Sequence, residues 1–578
     1  MEKMKFQKPL VVMLAAVLAI SLFAGCSGSE EASNEGANEP AGTEGTAVLE
    51  GDMSTWPDAE FSVLLGWPDH QTAADDAPIL KQVYDLTKVR LKLEVPPTNV
   101  DEKLNILLAS GEYPDVMVIA NPTIAQKFID GGHVIPLDDL IDKYGGQLKA
   151  NLGEDLDKLR SEDGKIYKIP PGYIMPGAER MLEAGNSFQF LTNVLEEKGW
   201  YKPTTFDDIY ALLKEVKETY PQYVPMSLAL GDENFFNTMV ATLGGAEGVR
   251  VLGDYVWTKD DKLIYKFKDE SIRHALQWLN RLYQEGLIDK ESPVQNKDAL
   301  QAKMASEKVF SSIGHWFDTM YEANSIFNQN GKPFRFKYFL PKAGDHVEKT
   351  TYIGYGTSYD AGTYITKKMA DPVRFMQFVN WLNTYDGNLA QLGIINYDGE
   401  DKEGYDFYIG EDNGQQTLEI TTYQINGWQT DELFAAKRGY GHFGYLTFST
   451  DMNEHPSYRY KTARAQLDFS IWWDEEQKRI NEGFGESGTD WIEEGRSTSW
   501  DFSDVAGLVL KPESDEFVAM TKINQLAYNE MVKLIVSSSD DQFNQGYDAF
   551  LAKIEGMGIG QAEATINQMY EDRKKLWN

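Results

Sequence analysis

Cysteine occurs once in 578 residues, at Cys26, so neither an intrachain disulfide nor a thiolate-based zinc or iron–sulfur site can form within this chain. Basic side chains are scarce: 55 Lys and Arg stand against 90 Asp and Glu, a formal charge of −35. The counterion-release attraction that drives nucleic-acid binding therefore has the wrong sign, and no nucleic acid is expected as a partner. Only seven histidines occur, at positions 70, 133, 274, 315, 346, 442 and 455, with no H-E-x-x-H or other ligand spacing. No metal and no cofactor is expected from them. Long apolar runs are also missing: the longest, 10–23, has 14 residues, short of the roughly 20 a membrane span needs. What is present is 42% apolar, 12% aromatic and 25% charged. That is globular composition, which excludes wholesale disorder and leaves room for about two to four folding units.

The N-terminus reads as an export signal. Lys3, Lys5 and Lys8 precede the 10–23 run, and small residues Ala24 and Gly25 follow it. Leu22-Phe23-Ala24-Gly25-Cys26 resembles the bacterial lipobox, with Phe23 where Leu is usual. The resemblance implies a signal peptide over 1–25 and a diacylglyceryl group on Cys26, which anchors the chain to the outer face of the membrane of a Gram-positive bacterium. Residues 27–52 hold seven acids and no Lys or Arg. Such a segment buries too little apolar surface to offset its ordering entropy, so 26–55 is expected to be a disordered acidic tether. The remaining body still carries 52 basic against 82 acidic side chains, so the acidity belongs to the fold.

From residue 59 the pattern alternates strand and helix: short apolar runs at 61–66, 89–95 and 115–120, with helical spacing at 78–87 and 101–109. A βαβαβ start implies a parallel sheet with ligand loops at the C-terminal ends of its strands. Asp163-Gly164 marks a tight turn. A second α/β unit follows Pro170-Pro171, with a helix at 193–198 and another at 205–220 capped by Thr205. Strands are expected at 255–257, 263–267, 308–313 and 334–340. Ile272, Leu276, Leu279, Tyr283 and Leu287 mark one helix face, and an extended Tyr-rich stretch at 352–365 leads into a helix at 372–385. Residues 395–504 read as loop-rich, and three helices at 514–537, 540–557 and 561–576 close the chain.

Catalytic motifs are few and fail on context. Gly439-x-Gly441-x-x-Gly444 matches G-x-G-x-x-G, but residues 431–438 before it read as helix and 445–449 after it as strand. A dinucleotide fingerprint requires the reverse order, so that a helix N-terminus meets the pyrophosphate. There is no G-x-S-x-G elbow and no EF-hand register, the acidic run 398–403 included.

Several segments in shared order resemble the family 1 extracellular solute-binding proteins of bacterial ABC importers, of the long Gram-positive lipoprotein type distantly related to maltose-binding protein. They are Leu108-Ala-Ser-Gly-Glu-Tyr-Pro-Asp-Val-Met117, Asp163-Gly-Lys-Ile-Tyr-Lys-Ile-Pro170, Val194-Leu-Glu-Glu-Lys-Gly199 with Pro203-Thr-Thr205, Leu282-Tyr-Gln-Glu-Gly-Leu-Ile-Asp289, Ile313-Gly-His-Trp316 and the helix 543–557. The resemblance implies an α/β, two-lobe periplasmic-binding-protein type II fold with hinge and C-terminal helices. On this pattern 56–172 and 345–395 form lobe 1, and 173–344 form lobe 2. Residues 396–504 form an insertion near the cleft, and 505–578 pack on the lobes.

It also implies a carbohydrate ligand, most simply an oligosaccharide, handed to ABC permease subunits by a monomer when the lobes close. Sugars present apolar CH faces with hydroxyl rims, so a sugar cleft needs flat aromatics beside carboxylates or amides. The expected ligand contacts are Trp67 and Asp69 after the first strand, and Trp316 and Asp318, where the maltose-binding relative has a stacking Trp. Tyr352, Tyr355 and Tyr359 lie in the returning segment, and Trp428 and Trp473 in the insertion. Trp278 and Trp381 sit inside amphipathic helices and are expected in the core, and Asp115 and Asp163 in structural turns. A surface glycan-active hydrolase or lyase, and a receptor feeding a sensor kinase, are the alternatives.

Overall fold

Val63-Leu64-Leu65 and Val116-Met117-Val118-Ile119 carry no polar residue to mark a solvent face, and in a computed structural model both runs are fully buried. The structure describes residues 51–66, 72–96, 99–161, 163–170, 186–355, 361–412, 414–431, 433–446, 461–462, 475–485, 497–501, 504–505 and 507–576. A sheet covered on both faces needs continuous apolar strands, and this one has them. Its strand order is Val89–Glu94, Ala59–Leu64, Val116–Ile119, Gly362–Ile365, Lys168–Ile169. The first three run parallel as the βαβαβ reading requires, and Gly362–Ile365 returns antiparallel beside Val116–Ile119. Val89–Glu94 alternates buried Val89 and Leu91 with exposed Arg90 and Lys92. Charge on this outermost strand discourages pairing with another chain. Helices Pro78–Thr87 and Pro372–Leu382 cover one face, where Ile79, Val83, Phe375 and Val379 pack. Val100–Ser110 and Pro122–Asp130 cover the other through Leu104, Ile124 and Phe128.

The second sheet is ordered Phe336–Phe339, Asn186–Leu191, Val309–His315, Val224–Met226, with only the last pair parallel. Helix Phe206–Thr219 starts at Thr205, whose hydroxyl receives the Asp208 N–H while the Asp208 carboxylate receives the Thr205 N–H. This reciprocal box satisfies two N–H groups that the helix start leaves unpaired. Trp278 on helix Glu270–Gln284 stacks on Phe206 at 4.2 Å and is buried, in agreement with its amphipathic spacing. Trp381 packs half-buried against the core of the first sheet.

The three closing helices, Asp515–Ile535, Asp540–Gly556 and Ile559–Leu576, join the core of this second body through Ile523, Tyr547 and Ile566. They also complete its polar edges. The Asn280 amide donates to the carbonyls of Leu534, Ile535 and Ser537 where the first of these helices ends, and Asn567 and Glu563 receive the Leu263 and Tyr265 N–H groups on the outer strand of the meander Arg250–Leu252, Tyr255–Trp257, Leu263–Tyr265.

Two expectations are corrected. The described parts of 395–504, read as loop-rich, hold regular structure: Ile395–Asn396, Phe407–Asp412, Gln415–Ile420 and Lys461–Thr462 form a four-stranded sheet, with helix Thr422–Thr430 before its last strand and Glu475–Phe484 after it. A buried ion pair braces this unit, Arg438 donating to both Asp406 oxygens at 3.0 and 2.6 Å. Tyr445 and Leu446 continue a run of turns and do not open a strand. The helix Phe434–Arg438 does precede Gly439, which takes φ +91° as its left-handed stop, so the glycines follow a helix end and form no anion-binding helix start.

Candidate ligand-binding site

Two C-terminal strand ends, one in each sheet, precede the residues expected to meet ligand. In the first sheet Gly66 follows Ala59–Leu64, and a Cβ there would lie 2.6 Å from the Val118 carbonyl oxygen. Only glycine lets the two backbones approach this closely as the chain leaves the sheet. Trp67 and Asp69 come next and, with Tyr359, Trp473 and Cys26, lie outside the described residues. In the second sheet Val309–His315 ends where helix Trp316–Gln329 begins, so Trp316 and Asp318 occupy its first turn. Buried Gln189 holds that turn: its Nε2 donates to the Gly314 carbonyl at 3.1 Å, and its Oε1 accepts from the Thr319 hydroxyl at 2.5 Å. The backbone of the helix start is therefore fixed by a satisfied amide.

Among the described residues the chain passes from the second body toward the first along a two-chain ribbon. Thr350–Tyr355 pairs in parallel with Ser497–Asp501, Gly354 opposite Trp500 and Tyr355 opposite Asp501. Tyr352, expected among the ligand contacts, is buried, donates its hydroxyl to the Pro341 carbonyl at 2.7 Å and lies against Gly245, so it packs into the second body. Burial holds its phenol well above the usual range. Tyr355 occupies the last position of the strand.

Trp428 is 46% exposed and leans on Tyr440 at 5.6 Å and Phe434 at 6.0 Å. Gly439, beside Tyr440, abuts Ala77, Ile79 and Leu80 on the N-terminal turn of helix Pro78–Thr87. That turn lies at the end of the sheet that Gly66 leaves, so the partly exposed Trp428 stands near the expected ligand end of the first lobe. Asp115 and Asp163 are structural. Asp115 receives the Ser62 N–H and hydroxyl at 2.9 and 2.7 Å, and Asp163 receives the Lys165 N–H and the Tyr167 hydroxyl at 3.0 and 2.8 Å. Burial, then the Asp163 carboxylate, pushes the Tyr167 phenol up to about 12.

Two features escaped sequence reasoning. A cavity of about 440 Å³ lies between helix Pro122–Asp130, residues 158–168 and the segments 507–512 and 569–573, and none of the expected contacts lines it. Three of the cations that line it are already engaged: Arg160 with Asp138 and Asp157, Lys158 with Asp504, Arg573 with the Gly507 carbonyl. The second feature is a junction of Glu247, His274 and His346, far apart in the chain, whose ligand-type atoms all lie within 4.8 Å of one another. The hydrogen bond to Glu247 raises the His274 imidazole above its ordinary value, against the opposing effect of burial.

The sequence profile of bacterial extracellular solute-binding proteins matches residues 70–388. The chain belongs to that family. Lipoprotein LipO of Bacillus subtilis (strain 168) is 26% identical over 325 residues, which cover 54% of this chain and 57% of LipO. The fructooligosaccharide ABC transporter substrate-binding protein FusA of Streptococcus pneumoniae serotype 4 is 25% identical over 344 residues, 55% of this chain and 62% of FusA. The chain thus spans about 57 to 62% of these two curated relatives. The polygalacturonan/rhamnogalacturonan-binding protein YtcQ of Bacillus subtilis (strain 168) is 25% identical over 436 residues, 73% of this chain and 78% of YtcQ. In fold, the solved FusA complex with kestose superposes at a TM-score of 0.60 and 17% identity, covering 89% of this chain and all of that one. The two-lobe α/β solute-binding architecture is therefore shared.

Proposed function

We propose that this chain is the ligand receptor of an ABC importer for carbohydrate, that its ligand is an oligosaccharide, and that it works by lobe closure without turning its ligand over. The observation that carries the reading is membership of the solute-binding family together with relatives named for fructooligosaccharide and for polygalacturonan or rhamnogalacturonan. The aromatic positions Trp316 and Trp428, with Trp67, suit sugar faces, and Asp69 and Asp318 suit hydroxyl rims. Closure requires contacts made from both lobes only in the shut state. The lobe limits, 56–172 with 345–395 and 173–344, belong to the same proposal, as do the contacts of Tyr355, Tyr359 and Trp473. The protein acts as a monomer, held outside the membrane by a diacylglyceryl Cys26 and engaging permease subunits when closed. No helix among the described residues is long and apolar enough to cross a membrane.

A thermal-shift screen against plant and bacterial oligosaccharides tests the reading, because a ligand at 100 times its dissociation constant stabilises by about 2.7 kcal/mol. A hit that is recovered chemically unchanged supports it. Turnover that survives repurification and is abolished by a carboxylate substitution overturns it.

A further inference from the structure

Glu247 ends the helix Glu233–Ala246 and carries a carboxylate only 1% exposed. It therefore combines two unfavourable placements: an anion withdrawn from water, and an anion at the negative end of a helix dipole. Among the described residues no Lys or Arg lies within ion-pairing distance of it. Its partners are two imidazoles, one on each oxygen: His274 Nδ1 at 2.5 Å and His346 Nε2 at 2.9 Å, with the rings edge to face at 5.5 Å. The carboxylate comes from a helix end, His274 from helix Glu270–Gln284, and His346 from the segment leading into the hinge strand Thr350–Tyr355.

We propose that Glu247, His274 and His346 form a binding site for a first-row transition dication, with zinc the natural probe. Two imidazole nitrogens and one carboxylate oxygen are a borderline donor set that favours zinc over calcium or magnesium, which require oxygen ligands. Tetrahedral bonds of about 2.0–2.2 Å place donor atoms about 3.4 Å apart. One donor atom from each residue lies within 4.8 Å of the other two, so shifts of about 1.4 Å or less bring the three to that spacing, which half-exposed imidazoles can make. Solvent reaches both rings, so water fills the fourth position. The ion supplies the positive charge that the buried carboxylate lacks.

Bound there, it pins the approach to the hinge against the second body. That approach is already held by the Ala343 N–H on the Ala246 carbonyl at 2.9 Å and by the Thr351 hydroxyl on the Val249 carbonyl at 2.7 Å.

The test is titration of tag-free full chain with Zn²⁺ by calorimetry, with Ca²⁺ and Mg²⁺ as controls. One equivalent of Zn²⁺ is expected, retained in Cys26→Ser and in His133→Gln, whose ring belongs to a separate contact with Tyr113. His274→Gln and His346→Gln are each expected to weaken binding at least tenfold, and the double variant to abolish it. Melting curves in a chelator separate folding from binding: the single variants are expected to melt close to the parent, while only the parent gains stability on adding Zn²⁺. His274→Asn and His346→Asn replace any variant that does not fold. Absence of stoichiometric Zn²⁺ uptake, or uptake that survives loss of both histidines, overturns the proposal.

Discussion

Gly66 shows how one missing side chain positions a loop. Its virtual Cβ lies 2.6 Å from the Val118 oxygen and 3.3 Å from the Ala120 nitrogen, both backbone atoms that cannot swing aside. Gly66→Ala is expected to destabilise the protein by roughly 1–3 kcal/mol, as overpacking of a dense interior does, read as a lower melting temperature and a weaker grip on any ligand contacted by residues 67–71. Tyr352 makes the opposite case. Tyr352→Phe leaves the Pro341 carbonyl buried without its donor and is expected to cost about 1 kcal/mol, with affinity for oligosaccharide unchanged; a large affinity loss at unchanged stability would return Tyr352 to the cleft. The structural roles of Asp115 and Asp163 were legible in sequence because turn and strand-end chemistry is local. The fate of Tyr352 was not, since it depends on Pro341 and Gly245. The Glu247 junction escaped for the same reason: its histidines stand 27 and 99 residues from the carboxylate.

At the scale of elements, the motif ending in Asp289 has a physical reading. Its carboxylate receives the Ser227 hydroxyl at 2.9 Å, the Lys303 ammonium at 2.7 Å and the Glu291 N–H at 3.0 Å, tying the end of helix Glu270–Gln284 to strand Val224–Met226 and helix Lys297–Ala305. Burial opposes ionisation, but Lys303, the Glu291 N–H and Ser227 together hold the carboxyl below its ordinary value. A depressed folded-state value means stability present above the unfolded pKa of about 3.9 and lost as pH falls through the folded value. Asp289→Asn is thus expected to lower stability by about 2 kcal/mol at pH 7, and the gap to the parent to close as pH falls below about 4; a gap unchanged across that range refutes the charge-based account. Helices with a clear apolar face and a cap, such as Phe206–Thr219, could be read from sequence nearly to the residue. The strands Phe407–Asp412 and Gln415–Ile420 could not, because Gly410, Glu411, Asp412, Gln415 and Gln416 make them look like loop until they are paired with each other.

At the scale of the whole molecule, the parallel half of the first sheet was visible in its apolar runs, while the antiparallel return of Gly362–Ile365 into it became visible only as a paired structure. That return means the chain crosses between the bodies and comes back; the ribbon of two short paired strands, Thr350–Tyr355 and Ser497–Asp501, is rooted in the second core through Tyr352 and Trp500, and in the proposed closure it serves as the hinge. Closure over such a hinge is driven only by contacts that exist in the shut state. An aromatic platform worth about 1–3 kcal/mol in that state alone shifts the open-to-closed ratio by about 5- to 150-fold. Small-angle scattering of the parent is therefore expected to show a smaller radius of gyration on saturation with an oligosaccharide from the thermal-shift screen. Trp316→Ala, measured at the same ligand concentration, is expected to keep the larger radius and to lose most of the thermal shift, while melting near the parent when unliganded. If the variant contracts as fully as the parent, Trp316 makes no contact that distinguishes shut from open, and the second lobe must close on the ligand through other residues.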